Sequence, residues 1–263
     1  MTLGQSILEL NTLRLWSREV KVWGYRLTAT TFDRLLNLWL HRFGLMGANE
    51  KRLFEASLRS GMHVVDIGAN QGLYTMHYSR LVGETGRVYA FEPDPELFAV
   101  AQSNCRTNGI GNVELHNLAL GSSAGHMTLF RSRVNAGDNR LARSQHPAWF
   151  KGTEVLVARL DEILAGKRVD FIKMDVQGWE FEVLKGMEQV LRNNPEVQMY
   201  LEFWPLGLSN AGCEPVKFLE HLASHSFSIW SLTRSGKRQV TDFCAFSKDL
   251  HGARFTNLLC TRS

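Results

Sequence analysis

Long apolar runs are missing from this 263-residue chain, although 44% of its residues are hydrophobic. None approaches the roughly 20 residues that a membrane-spanning helix needs, so a spanning protein is not expected. Cysteine is scarce. The four residues, Cys105, Cys213, Cys244 and Cys260, contain no C-x-x-C pair, which argues against a disulfide framework or a cysteine zinc site and for reduced thiols in a cytoplasmic protein. The opening M-T-L-G-Q-S has no basic segment of the kind that begins a secretory signal, so none is expected. Charge of one sign is also in short supply. The net charge of +4 comes wholly from residues 1–59, with nine Lys or Arg against five Asp or Glu, and the remainder balances at 21 and 21. A nucleic-acid-binding body usually carries a strong basic excess on one face, so nucleic acid is not expected as a partner.

What the chain does have is centred on Met62 to Gly72, M-H-V-V-D-I-G-A-N-Q-G. A β-branched apolar run meets one carboxylate and then a glycine-punctuated turn that opens an amphipathic segment, the pattern of a buried parallel strand feeding a helix through a ligand-binding turn. A dinucleotide fingerprint spaces its glycines G-x-G-x-x-G and places its acid about 20 residues further on. Here Gly68 and Gly72 are spaced G-x-x-x-G, Ala69 and Asn70 lie between them, and Asp66 precedes the first glycine. A carboxylate there repels pyrophosphate and suits a ligand with a cationic amino-acid end, as S-adenosylmethionine has. A second apolar strand, Arg87 to Phe91, ends in Glu92 and Pro93, 26 residues after Asp66 for the glutamate. An acid at that strand tip can hold a ribose diol.

The rest of the chain alternates strand and helix. Helices are expected at Lys51–Arg59, Pro95–Asn108, Leu160–Leu164, Trp179–Leu191 and Val216–Ala223. Strands are expected at 112–116, 125–131, 154–158, 169–174, 196–203, 227–232 and 256–260. This predicts an α/β fold with a mostly parallel sheet and ligands at the carboxyl ends of its strands. Asp66, Glu92, Asp175 and Glu202 all fall at such ends. After the third strand, Asn117, Ala119 and Leu120 are candidates to meet an adenine edge. Residues 131–151 lose periodicity and carry five basic residues against Asp138, a composition that fits either a lid over an anionic or oxygen-rich acceptor or a solvated loop. In the first 60 residues, Leu13, Trp16, Val20, Trp23 and Leu27 and then Phe32, Leu36, Trp39 and Phe43 follow helical spacing. Two amphipathic helices are expected, packed on the domain, on a second copy in a homo-oligomer, or against a membrane surface.

V-V-D-I-G-A-N-Q-G, V-Y-A-F-E-P and F-I-K-M-D-V-Q-G-W-E-F-E-V-L-K-G, in that order, resemble the FkbM family of S-adenosylmethionine-dependent methyltransferases, over about Glu50 to Leu232. The resemblance implies a class I methyltransferase fold, Rossmann-like, with a seven-stranded mostly parallel sheet whose last strand is antiparallel. It would occupy residues 61–263, with 1–60 as a helical extension. It also implies O-methylation of a hydroxyl on a sugar, glycan or secondary metabolite. By position, Asp66, Gly68, Asn70 and Gly72 belong to the cofactor loop, Glu92 to the ribose contact, and Asp175 to the strand end that faces the methyl group. Gln177 stands where the family often has Glu, which removes an acid from any metal site there. Asp175 is the first candidate to orient or deprotonate the acceptor, followed by Glu202, Glu180 and His116. Two other readings are a metal-dependent enzyme with Asp175, Glu180 and Glu202 around one ion, and a non-catalytic nucleoside-binding or assembly module in which the helical N-terminus does the work.

Overall fold

The computed structural model describes residues 18–29, 32–132, 139–141, 150–233, 236–250, 252 and 254–262. Its first element corrects an expectation. Residues Arg18–Val22 (β1) and Tyr25–Ala29 (β2) form an antiparallel hairpin, not a helix. Val20, Trp23 and Leu27 satisfy helical spacing by coincidence. The burial of Tyr25, Leu27 and Ala29 alternates with period two, and Trp23 and Gly24 both take positive φ, 53° and 90°, as a two-residue hairpin turn requires. Leu13 and Trp16 lie outside the described residues. The second helix is present as α1 (Phe32–Arg42), followed by α2 (Ala48–Ser57).

The hairpin is part of the domain's packing. Val20, Val22, Tyr25 and Leu27 are buried with Leu38, Leu73, Met76 and Cys105. Two asparagines further along the chain, Asn104 and Asn108, receive its edge. The Arg26 N–H donates to Asn108 Oδ1 at 2.9 Å, Asn108 Nδ2 donates back to the Arg26 carbonyl at 2.7 Å, and the Thr28 N–H donates to Asn104 Oδ1 at 2.9 Å. The hairpin's apolar face therefore lies against the protein, whereas Trp39 and Phe43 of the second stripe are exposed; no helix among the described residues is long and apolar enough to cross a membrane.

Next in the chain come β3 (His63–Ile67), α3 (Leu73–Val82), β4 (Arg87–Phe91), α4 (Pro95–Thr107) and β5 (Val113–His116). Asp94 caps α4 by accepting the Glu96 and Leu97 N–H groups, and Pro95 occupies its first turn. The short β6 (Ala119–Leu120) then joins β7 (Gly125–Ser132) and β8 (Phe150–Ala158) in a separate three-stranded sheet. The chain continues through α5 (Leu160–Ile163), β9 (Phe171–Met174), α6 (Glu180–Lys185), α7 (Glu188–Asn193) and β10 (Gln198–Phe203). It ends with α8 (Pro205–Asn210), α9 (Pro215–Ser224), β11 (Ser228–Thr233), β12 (Gly236–Gln239), α10 (Phe243–Asp249) and β13 (Thr256–Thr261). The helix expected over Trp179–Leu191 is two helices. A Cβ on Gly186, between them, would lie 2.0 Å from the Gly121 carbonyl, so the chain turns where only glycine packs.

The main sheet has the order β12-β11-β13-β10-β9-β3-β4-β5. Strands β10, β9, β3, β4 and β5 run parallel, and β13 inserts antiparallel between β10 and β11. These are the seven expected strands, with the last one reversed. The eighth, β12, is G-K-R-Q, exposed throughout and without an apolar alternation to reveal it. Parallel strands covered on both faces explain the continuous apolar runs of β3, β4 and β9.

Replacing Asn108 by Ala removes the side-chain acceptor of the exposed Arg26 N–H, which is expected to cost about 0.5–1.5 kcal/mol. Hydrogen exchange should quicken across residues 18–29 while β3 and β9 stay protected. Uniform loss of protection would show instead that Asn108 supports the whole domain.

Candidate functional site

The carboxyl ends of β3, β4, β9 and β10 open onto one cleft of about 1390 Å³. The sequence builds its floor at Gly68. This residue has φ +82°, and a Cβ there would sit 2.1 Å from the Asp175 carbonyl, so the turn after β3 presses on the end of β9 and only glycine fits. Asn70 at φ 51° and Gly72 at φ +83° complete the turn into α3. Gly68, Ala69 and Asn70 line the cleft, with Glu92 and Pro93 beside them and Ala119 and Leu120 opposite.

Asp66 has a different place from the one expected. It is fully buried and does not line the cleft, because its side chain points beneath the turn toward α3. There it accepts from Thr75 Oγ1 at 2.5 Å and pairs with Lys173 Nζ at 3.5 Å. Lys173, its register partner on β9, also donates to the Gly68 carbonyl at 2.8 Å. Burial opposes the charge on each group, raising Asp66 and working to lower Lys173. For Lys173 the attraction of Asp66 and Asp175 prevails, and the ammonium is held above its ordinary value. Asp66 thus fixes the turn from below, through Thr75 and Lys173.

Glu92 lines the cleft and is 5% exposed. Its two oxygens each accept one backbone N–H, from Asn70 at 2.7 Å and Asp94 at 2.9 Å. Burial pushes its carboxyl up to about 7 despite these donors. Each oxygen retains an acceptor site, which a pair of ribose hydroxyls can fill. Several other cleft residues carry a buried polar atom without a protein partner: Gln71 Oε1, Tyr78 Oη, Trp179 Nε1 and Trp204 Nε1. Buried polar groups are costly when unpaired, so this set fits a polar, nucleoside-sized ligand. Asn117 does not line the cleft; its amide donates to the Glu92 and Pro93 carbonyls and holds their loop.

Among the catalytic candidates, Asp175 and Glu202 come together. Gln177, in the left-handed region at φ 55°, donates from Nε2 to Asp175 Oδ1 at 2.8 Å and to Glu202 Oε2 at 3.0 Å. Both partners are acceptors when ionised, so the amide nitrogen must face them. Glu180 lies elsewhere. It is 1% exposed, does not line the cleft, and its Oε1 accepts the N–H groups of Val176 and Gly178 at 3.1 and 3.2 Å. Its role is to hold the turn after β9, and an ion shared by Asp175, Glu180 and Glu202 loses one ligand. His116 also falls outside the cleft lining; it stacks on Phe91 at 4.9 Å and pairs with Glu114 at 3.1 Å.

The basic stretch divides in the same way. Arg131 is structural, bound to Asp94 at 2.8 Å and to Glu96 at 2.7 Å. Arg140 lines the cleft, with its guanidinium 5.1 Å from the Trp204 ring. Arg133, Asp138 and Arg143 lie outside the described residues. Residues that sequence reasoning passed over are Lys173, the two cleft tryptophans, and an apolar rim of Leu45, Met46, Leu206 and Phe255. For Lys173 a signal existed, a lone cation inside the apolar run of β9. For the rim there was none, since it comes from three distant parts of the chain.

A cleft at the carboxyl ends of a sheet ordered this way, with β13 reversed between β11 and β10, defines a class I methyltransferase fold. The model of the FkbM methyltransferase domain matches residues 66–225. The chain belongs to the FkbM methyltransferase family, and its cofactor is S-adenosylmethionine. It is similar to Methyltransferase 1 of Beauveria bassiana, at 27% identity over 48% of this chain and 58% of that protein. It is also similar to Methyltransferase sdnD of Sordaria araneosa, at 29% identity over 51% of this chain and 63% of that protein. The chain thus spans about three fifths of the length of these curated relatives. A SAM-dependent O-methyltransferase from Thermotoga maritima superimposes with a TM-score of 0.46 at 13% identity, covering 94% of this chain and 77% of that one.

Burial also pushes the Glu180 carboxyl up to about 7. Between its ordinary value near 4.5 and about 7 the folded chain binds this proton more tightly than the unfolded chain does, so the contribution to stability falls as pH rises through that window. Glu180→Gln keeps an acceptor for Val176 and Gly178 and removes the titration. Its stability relative to wild type should be higher at pH 8 than at pH 4.5, by on the order of 1–3 kcal/mol. Urea unfolding at both pH values measures this, and an equal difference at the two would show that the folded carboxyl is not raised.

Proposed function

We propose that this chain transfers the methyl group of S-adenosylmethionine to a hydroxyl of a sugar, glycan or secondary metabolite in the cytoplasm. The observation that carries the proposal is the pairing of Asp175 and Glu202 through one Gln177 amide, on the wall of the cleft that also contains Glu92 and the Gly68 turn. When bound, the cofactor supplies an electrophilic methyl on a sulfonium that is already a good leaving group. The protein is left with alignment, exclusion of water and handling of one proton.

In this reading the Gly68–Gly72 turn and Glu92 hold the nucleoside. Gln177 bridges the two carboxylates through its amide nitrogen, and Asp175 accepts a hydrogen bond from the acceptor hydroxyl and takes its proton as the new bond forms. Glu202 stabilises that arrangement from the neighbouring strand. The rim of Leu45, Met46, Leu206 and Phe255 offers an apolar surface to the body of the acceptor, which favours a metabolite with a hydrophobic portion over a bare sugar.

Extracts incubated with the protein and methyl-labelled S-adenosylmethionine should contain a species that gains one methyl on oxygen. With that acceptor, Asp175→Asn should lose on the order of 10² to 10⁴ in kcat, with affinity for S-adenosylhomocysteine within about threefold of wild type. Glu92→Ala should weaken that affinity at least about tenfold, the loss of two charge-assisted hydrogen bonds. Near-wild-type turnover in Asp175→Asn removes it from the chemistry. Cofactor binding with no transfer to any extract component would instead favour a binding module.

A further inference from the structure

Outside the cleft, the short helix α7 and the end of α9 bring three ligand-type side chains together. We propose that Glu188, His221 and His225 form a binding site for a divalent transition-metal ion of the zinc type. One ligand atom from each lies within 4.8 Å of the others. None of the three lines the cleft, so the site is separate from the chemistry proposed above and does not depend on it.

The sequence sets up the pair of imidazoles. His221 and His225 are four residues apart at the end of α9, one helical turn, so their rings share a face. The ring centroids are 5.0 Å apart at 72°. Glu188, the first residue of α7, brings Oε1 to 3.7 Å from His221 Nε2, too long for a hydrogen bond. That leaves His221 Nε2 buried with no hydrogen-bond partner. In a tetrahedral zinc shell with ligand bonds near 2.0–2.1 Å, neighbouring ligand atoms sit about 3.3 Å apart. Small side-chain rotations close the difference, because all three residues are only half-buried.

The surroundings orient the ligands. Phe181 meets the His221 ring edge to face at 5.5 Å and 89°, which fixes its plane. Arg192 holds the other Glu188 oxygen, Oε2, at 3.2 Å, leaving Oε1 turned toward the imidazoles. Such outer contacts are what orient metal ligands. Two imidazoles and one carboxylate suit zinc, cobalt, nickel or copper and not magnesium or calcium. A bound ion would staple α7 to α9 and leave one coordination position for water.

The test uses the untagged full chain, stripped with a chelator and dialysed. Calorimetry with zinc chloride should show one equivalent bound, and the midpoint of thermal unfolding should rise with zinc. Cys244 is an exposed thiol and a rival ligand, so Cys244→Ser should bind zinc as wild type does. His221→Ala and His225→Ala should each weaken binding at least tenfold, and Glu188→Gln should weaken it less. Circular dichroism of each variant in chelator establishes that it is folded. Equal zinc affinity in wild type and in a folded His221→Ala/His225→Ala double variant overturns the proposal, as does the absence of any zinc binding by the wild-type chain.

Discussion

A buried ammonium under a glycine turn is the constraint on which the site depends. Lys173 lies inside β9, 6% exposed, and reaches both Asp66 of β3 and the carbonyl of Gly68. Burying two charges is expensive unless they are paired and hydrogen-bonded, and removing one partner of such a pair typically costs about 3–5 kcal/mol. The pair therefore holds β3 and β9 in one register at the point where both strands end. Because the turn must also lie flat against the Asp175 carbonyl, Gly68 and Asp175 cannot move independently. The cofactor turn and the candidate catalytic carboxylate are in this sense one mechanical unit.

Around that unit, polar side chains are divided between those that build the cleft and those that face it. Asp66, Thr75, Glu180, Asp94 and Asn117 are committed to backbone groups, to one another, or to the side chains of Lys173 and Arg131. Glu92, Asp175, Gln177 and Glu202 line the cleft and keep hydrogen-bonding capacity toward it. The division follows strand geometry: side chains alternate across a strand, so of the acids near a strand end only some project toward the ligand.

That alternation also explains how much was legible beforehand. The order of strands and helices could be read from apolar runs and glycine punctuation, and the cleft-facing places of Gly68, Glu92, Asp175 and Glu202 followed from their positions at strand ends. Which way a carboxylate turns, at the end of β3 for Asp66 or the start of α6 for Glu180, could not be read, and so both were expected in the cleft when they support it from behind. Lys173 is the complement of that error, since a lone lysine within F-I-K-M demands a buried partner and Asp66 is its cross-strand neighbour. The N-terminal hairpin was hidden because Val20, Trp23 and Leu27 fit a helical period as well as an alternating one. The apolar rim depends on tertiary structure alone.

The central claim is that one cleft, built on the Gly68 turn, holds the nucleoside at Glu92 and presents the reactive end to Asp175. A crystal structure of the chain with S-adenosylhomocysteine tests it most directly. The account predicts both ribose hydroxyls within hydrogen-bond distance of the Glu92 carboxylate and the sulfur directed toward Asp175 and Glu202. A nucleoside bound away from Glu92, or a sulfur turned away from the β9 and β10 ends, would contradict it.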